Sequence, residues 1–381
     1  KAGQPLEIKY ILDLRDFPDS LWADKFIKDF SLIENDQEIG VVVEVMGGVN
    51  PAFDYVRRCL EKGKSVVTSN KELVSQKGYE LLTTARKHNV NFLFEASVGG
   101  GIPVIRPIAQ CLAANQIDEI AGILNGTTNF ILTKMLREHM DFAEALNLAQ
   151  SLGYAERNPD ADILGFDTCR KICILASLAF GRHVYPCWVR TEGIDQVTLA
   201  DLEYAAGLGG AVKLIGRARR LPDGKLSVTT QPEIINRENQ LSNVEDVFNA
   251  ILVSGDAIGE VMFYGRGAGK LPTASAVIAD IIDCAKHVDK RKMQDWENGV
   301  PGMVADYSDD EGEFYMRLET PDTSGAYTVL ESTFDDLRII NRKEKTRNEL
   351  AVVAGSISRR ELENRLDKIG AIEPKLTMRI H

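Results

Sequence analysis

The stretch GFDTCRK, residues 165–171, sets an aspartate four residues before a lysine. In a helix, Asp167 and Lys171 would share a face one turn apart. An acid N-terminal to a base at this spacing is a favourable surface pair, worth about 0.2–0.5 kcal/mol. The residues that follow point elsewhere. Ile172, Ile174, Leu175, Leu178 and Ala179 make the helix apolar on several sides, as a buried helix is. A lysine buried at its start needs a partner, and Asp167 is placed to be one. Desolvation and a nearby carboxylate push a lysine's pKa in opposite directions. Lys171 is therefore a candidate for moving a proton, with the ordinary ion pair as the alternative.

Other polar groups gather before this helix. The loop GYAERNPDADILG, 153–165, carries Glu156, Asp160 and Asp162. Upstream, NGTTN, 125–129, puts five small polar residues between a strand and a helix. Asn-Gly alone marks a turn and Thr alone a cap. The run of five offers amide and hydroxyl groups to a polar ligand as well.

The elements that must position these groups are legible. VVVEVMGG, 41–48, is a short β-branched run stopped by two glycines. Residues 50–64 then have helical spacing, with Asn50 as N-cap and Pro51 at the first helical position. A strand over 65–70, a helix over 71–89, a strand over 90–101 and a helix over 102–115 follow. LEIKYILDLRD, near the start, reads as a further strand. Short strands alternating with helices predict an α/β fold with a doubly wound, Rossmann-like parallel sheet. Ligands collect at the C-terminal strand ends of such sheets. Those ends carry Arg15, Gly47, Gly48, Ser69, Asn70, Lys71 and the run Glu95 to Gly101.

A dinucleotide-binding sheet normally opens with a strand and G-x-G-x-x-G. Residues 1–125 hold no such motif. GRGAGK, 265–270, is the nearest approach, but Lys270 stands where the last glycine belongs. It reads as a close backbone approach, not as the primary dinucleotide site. It also fails as a P-loop, because Tyr264 and Leu271 occupy two required positions.

Bulk properties exclude several classes. With 381 residues the chain holds two or three domains, and 44% hydrophobic content supplies their cores. A net charge of −11 and a pI near 5.2 argue against nucleic acid, whose phosphates need a basic patch. No apolar run is long enough to span a bilayer, and no signal-peptide pattern precedes the first strand. The six cysteines show no disulfide framework. Cys169 and Cys173, four apart, read as buried thiols rather than metal ligands. A reducing cytoplasm fits.

Taken in order, TSNKE (68–72), EASVGGGIP (95–103), NGTTNFI (125–131), GYAE (153–156), GFDTCRK (165–171) and GAGKLPTASAV (267–277) resemble the homoserine dehydrogenase family. The resemblance covers roughly residues 5–295. It implies an oxidoreductase that interconverts L-aspartate 4-semialdehyde and L-homoserine with NADP or NAD, in threonine, methionine and isoleucine biosynthesis. Lys171 matches the family's catalytic lysine, Lys71 a second active-site lysine, and Asp167 the carboxylate beside the substrate hydroxyl. Glu156 matches the acid that binds the substrate's amino group. The resemblance places Asn125, Gly126, Thr127 and Asp162 in the same pocket, and Gly267 on the cofactor side. The resemblance also implies a monovalent cation, sodium, held by Glu95 and the main-chain carbonyls of Val98, Gly100 and Ile102. The alternative for that loop is a glycine turn without metal.

The sequence departs from the family at Arg157, Asn158 and Ala161, around the retained Glu156. The family's opening strand and glycine-rich loop are also missing, so residues 1–125 are expected to be an N-terminally shortened nucleotide-binding domain that binds cofactor poorly. Residues 126–268 are expected as an α+β catalytic and dimerisation domain. Residues 269–300 are expected as a helix returning to the first domain, with a linker. Arg15 leans the cofactor towards NADP, where an arginine can meet a 2′-phosphate. Residues 301–313 read as an acidic linker, and 313–381 as a βαββαβ module that resembles an ACT domain. In it, ETPDTSGA resembles the ligand turn, with Gly325 retained. The resemblance implies L-threonine as a possible effector, a dimerisation module being the alternative, and a homodimer or higher homo-oligomer. A rival reading is a catalytically dead amino-acid sensor. An aspartate-semialdehyde dehydrogenase is a weaker one, since it needs an acylating cysteine in a polar loop.

Overall fold

A computed structural model describes residues 2–288, 290–292, 294–309, 311–369 and 373–381. Residue 370 of the expected final helix and residues 371–372 of the expected final strand lie outside these. So do Lys1, residues 289 and 293 of the returning segment, and residue 310 of the expected linker. The chain divides into two compact units. One comprises Lys1–Ala114, Ser177–Val184 and Ala268–Gly299; the other comprises Asn115–Ala176, Tyr185–Gly267 and Val300–His381.

In the first unit, strands Val41–Glu44, Ser65–Thr68 and Phe92–Leu93 lie side by side and parallel, in chain order. Helices Ala52–Glu61 and Lys71–Lys87 make the crossovers. Every residue of Ser65–Thr68 is buried, as a parallel strand covered on both faces must be. Val66 and Val67 point to opposite faces. Val67 and Leu93 pack with Ala276, Val277 and Cys284 of helix Lys270–Lys286. This is a parallel Rossmann-like sheet; among the three strands described, the winding does not reverse.

Several expected elements are shorter. The strand read in LEIKYILDLRD shrinks to Ile11–Leu12, paired in parallel with Phe26–Ile27 in a separate two-stranded sheet. Pairing sets strand length, and only two residues run alongside; Leu6, Ile8 and Leu14 stay exposed. The first crossover helix starts at Ala52, and Asn50 is not its cap. The Val49 carbonyl accepts from Phe53 N–H at 2.7 Å instead, so main chain closes the first turn. The strand expected over 90–101 ends at Leu93. Glu95 is the reason. Its carboxylate accepts main-chain N–H bonds from Val104 (2.7 Å), Ile105 (2.9 Å) and Arg106 (2.9 Å), drawing the chain out of the ladder. The helix expected over 102–115 is reduced to a wide turn ending at Pro107–Cys111, with Leu112 N–H bonded to the Pro107 carbonyl at 2.9 Å.

The second unit is built on a mixed, ten-stranded sheet. From one edge its strands run Gly259–Arg266, Phe248–Gly255, Ile117–Ile123, Gly210–Arg220, Leu226–Asn236, Leu376–Ile380, Glu311–Glu319, Glu349–Ser358 and Leu337–Ile340; Arg190–Thr191 pairs beside Leu226–Asn236. The last part of the chain thus follows the order βαββαβ, with helices Thr323–Thr333 and Arg359–Ile369. It continues the middle sheet without a break, because Arg379 and Ile380 pair in parallel with Glu233 and Ile234. Polar contacts join the same parts: Arg317 Nε to Asp201 at 2.7 Å, Tyr315 Oη to Asp201 at 2.8 Å and Tyr204 Oη to Glu349 at 2.6 Å. The segment read as an acidic linker is fastened as well. Leu226 N–H bonds the Met303 carbonyl, and Ala305 N–H bonds the Leu226 carbonyl. One apolar core holds Phe130, Met135, Leu202 and Leu214 together with Tyr315 and Met378.

Candidate functional site

In the second unit, strand Ile117–Ile123 delivers Leu124 and Asn125 to the start of helix Gly126–Glu138. Asn125 caps that helix, its Oδ1 accepting from Thr128 N–H at 2.9 Å. Its Nδ2 then reaches two carboxylates, Asp162 at 2.6 Å and Asp167 at 2.9 Å. With Oδ1 accepting and Nδ2 donating, the network defines the amide's orientation.

Asp167 and Lys171 lie on helix Phe166–Phe180, as the spacing required. Gly165 precedes it at φ +81°, and a side-chain carbon there would lie 3.0 Å from the Glu192 carbonyl; both facts call for glycine. Lys171 Nζ donates to Asp167 Oδ2 and to the Leu124 carbonyl, each at 2.7 Å. Asp167 is 4% exposed and Lys171 9%. These are not the solvated partners of a surface pair. One carboxylate oxygen of Asp167 receives both the ammonium and the Asn125 amide. An ammonium has three N–H bonds, and these contacts use two. The remaining one can donate to a ligand oxygen.

The nearby loop is tied to the same helix start. Thr127 Oγ1 donates to the Tyr154 carbonyl at 2.6 Å, and Gln150 Nε2 to the Glu156 carbonyl at 3.1 Å. The Glu156 side chain is exposed, Asp162 is half-buried and Thr127 is buried. At Gly126, a side-chain carbon would lie 2.7 Å from the Val247 carbonyl, so the helix begins in close main-chain contact. Gly267 makes the close approach read in GRGAGK, against the side chain of Asn249.

In the first unit, Lys71 opens helix Lys71–Lys87 and is half-buried, as is Ser69. Asn70 caps this helix through Leu73 N–H at 3.0 Å, and its Nδ2 bonds the Gly48 carbonyl at 2.6 Å. Gly47 and Gly48 have φ of +81° and +69°, with open space where side chains would stand. This leaves bare main chain at the C-terminal end of a parallel strand, as close approach by a ligand requires. Glu44 organises the same end and was not singled out from sequence. Its carboxylate accepts from Thr68 Oγ1 and from Met46 N–H, each at 2.6 Å, and it is buried. A lone acid inside VVVEVMGG was the signal. Arg15 is exposed and held by Asp13, with an NH2 to Oδ2 distance of 2.9 Å; this contact draws the Asp13 carboxyl down to about 2.

Gly99 and Gly100 take φ of +74° and +55°, which makes the loop after Glu95 a glycine turn. Glu95 is 3% exposed and held by three main-chain amides, while its own N–H bonds Asp280 Oδ2 at 2.9 Å. Burial lifts the Asp280 carboxyl to about 6, against the pull of neighbouring Arg106. A second group missed in the sequence is His183. Its Nδ1 accepts from Trp296 Nε1 and its Nε2 bonds the Ser75 carbonyl, both at 2.9 Å. Ser75 lies one turn after Lys71. Cys169 and Cys173 are buried, and hydrogen bonding between them draws the Cys169 thiol down. Among the described residues, no three His, Cys, Asp or Glu side chains group as metal ligands. No helix described is long and apolar enough to cross a membrane.

A parallel nucleotide-binding sheet with glycines at its strand ends, and a mixed-sheet unit with a buried Lys–Asp–Asn group, define a nicotinamide-dependent oxidoreductase. Comparison with known proteins makes the class specific. Residues 103–282 match the homoserine dehydrogenase family, and residues 5–95 match its NAD-binding domain. The chain belongs to the homoserine dehydrogenase family. It is 38% identical to homoserine dehydrogenase of Pseudomonas aeruginosa over 98% of this chain and 89% of that one. Against the Synechocystis enzyme it is 46% identical, over 67% of this chain and 60% of that one. The homoserine dehydrogenase structure from Thiobacillus denitrificans superposes with a TM-score of 0.82 at 33% identity, covering 93% of this chain and 85% of that one. A hyperthermophilic archaeal homoserine dehydrogenase mutant, solved with NADPH, gives 0.57 at 31% identity over 67% and 73%.

Proposed function

We infer that this chain interconverts L-homoserine and L-aspartate 4-semialdehyde. The observation that carries the reading is the buried hydrogen-bonded group Lys171–Asp167–Asn125. The nicotinamide, when bound, carries the hydride. Lys171 handles the proton: its third N–H donates to the oxygen that becomes the homoserine hydroxyl and takes the proton back in the reverse direction. Two contacts already hold the ammonium, so little reorganisation accompanies that transfer. Asp167 positions Lys171 and lies beside the same oxygen. Asn125 ties both to Asp162, and Glu156, exposed on its loop, takes the substrate's amino group. Lys71, at the head of its helix, serves as the second active-site lysine. A non-catalytic sensor would have no use for a lysine buried in this way.

For the cofactor, Gly47, Gly48, Ser69 and Asn70 offer bare main chain and a capped helix start, with Gly267, packed against the Asn249 amide, as the further cofactor-side residue that the resemblance implies. The exposed guanidinium of Arg15 favours NADP over NAD, although Asp13 competes for it. For sodium, Glu95 with the carbonyls of Val98, Gly100 and Ile102 is the right donor chemistry. The three amides that already hold Glu95 favour the glycine turn without metal. The C-terminal βαββαβ module is ACT-like. In its turn Asp322 caps the helix through Gly325 N–H at 2.8 Å, and a side chain at 325 would overlap that carboxylate. An amino-acid effector, L-threonine, would bind at this turn. A homodimer is expected, with sheet edge Gly259–Arg266 available. The buried free thiols fit a reducing cytoplasm.

The test is nicotinamide reduction by this chain with L-homoserine, at saturating NADP and then NAD. Homoserine-dependent reduction that Lys171→Ala abolishes is the expected result. Intact cofactor binding without turnover would favour the sensor.

A further inference from the structure

Asn249 lies on strand Phe248–Gly255, opposite Gly265, and is 1% exposed. Among the described residues, neither its Nδ2 nor its Oδ1 has a hydrogen-bond partner. It stands between two glycines. A side-chain carbon at Gly126 would lie 3.3 Å from Oδ1, and one at Gly267 would overlap the amide. Two bare positions thus admit an amide for which the described residues supply no partner. A buried amide without partners is costly, and an apolar side chain of the same shape would not be. Native proteins leave few such groups, and each calls for a reason.

The reason lies in what the two glycines belong to. Gly126 opens the helix capped by Asn125, where first-turn N–H groups lack intrahelical partners. Gly267 follows strand Gly259–Arg266 and stands on the cofactor side of the proposed function. We propose that Asn249 is a positioning residue that joins these two segments when ligand binds. Its Oδ1 accepts an N–H at the start of the Gly126 helix, and its Nδ2 donates to a main-chain carbonyl near Gly267. That clamp sets Asn125, and through Asn125 the Asp167 and Lys171 pair. Cofactor and substrate, by drawing the two segments together, supply the amide with both partners. The inference rests on the reading that residues 125–127 and Gly267 face the ligands.

The test is Asn249→Leu in the full chain, with Asn249→Ala beside it in case leucine does not fit. In the ligand-free protein, Asn249→Leu leaves the melting temperature unchanged or higher, because it removes an unsatisfied group without opening a cavity. Its kcat/KM for L-homoserine falls about 10- to 100-fold, the scale of a small misplacement of a catalytic group. The rise in melting temperature that NADP gives the wild type shrinks in both variants. A ligand-free Asn249→Leu protein that melts well below wild type, with the NADP-induced rise intact, would make Asn249 an ordinary structural residue and overturn the proposal. So would full activity in either variant. If the wild type itself neither oxidises L-homoserine nor responds to NADP, the functional reading fails first, and this inference falls with it.

Discussion

His183 makes stability depend on pH in a way that can be worked out from its surroundings. The imidazole is buried against helix Lys71–Lys87. An indole N–H can only donate, so Nδ1 accepts from Trp296 and Nε2 carries the proton bonded to Ser75. A second proton would have to sit on Nδ1, facing the indole N–H. Burial accordingly lowers the His183 pKa from 6.5 to about 4. Below pH 6.5 the unfolded chain takes up this proton and the folded protein does not. Stability from His183 is therefore complete above pH 6.5 and is lost as pH falls towards 4. The full effect is about 3 kcal/mol, most of which is gone at pH 4.5. The comparison variant is His183→Gln, whose amide can donate to Ser75 and accept from Trp296 but does not titrate. Urea unfolding of both proteins, followed by tryptophan emission at pH 7.5 and 4.5, gives the difference directly. Other acids titrate in both and cancel. The advantage of wild type over the variant is expected to shrink by about 2–3 kcal/mol between the two pH values. A difference that does not change with pH would refute the assignment of a neutral, buried imidazole.

Three further expectations concern the site and its frame. Lys171→Met should lower kcat for homoserine oxidation by about 10²–10⁴-fold with a much smaller change in KM, measured by steady-state kinetics. Asn125→Ala should destabilise the protein by about 1 kcal/mol through the lost helix cap, and should reduce kcat as well, since Asp167 loses the Asn125 amide; denaturation and kinetics on one preparation separate the two effects. Arg317→Met strands the buried Asp201 carboxylate between the middle of the chain and its C-terminal module. It should cost about 3–5 kcal/mol by urea unfolding, an effect that a rim ion pair such as Arg57–Glu61 would not show.

Chemistry carried by local spacing was legible in the sequence. The four-residue interval between Asp167 and Lys171, the apolar helix behind them and the NGTTN cap all report contacts made within one or two turns. Period and capping rules reach that far. The same holds for the alternating strands and helices of the first unit and for the βαββαβ order at the end of the chain. Element lengths were less legible, because a strand extends only as far as another strand pairs with it. LEIKYILDLRD has the pattern of a long strand and forms two residues of ladder.

Tertiary structure alone decided whether Asp167 and Lys171 were a surface pair or a buried one. That depended on Leu124 and Asn125, some forty residues away in the chain, coming to lie against them. It decided that Glu95 is wrapped by the amides of residues 104–106, and that Ser177–Val184 joins the first unit through His183. It also decided that the C-terminal module continues the middle sheet through Arg379 and Ile380. Each of these depends on one group meeting another far away in sequence, where hydrogen-bond geometry and desolvation, rather than local periodicity, set the outcome.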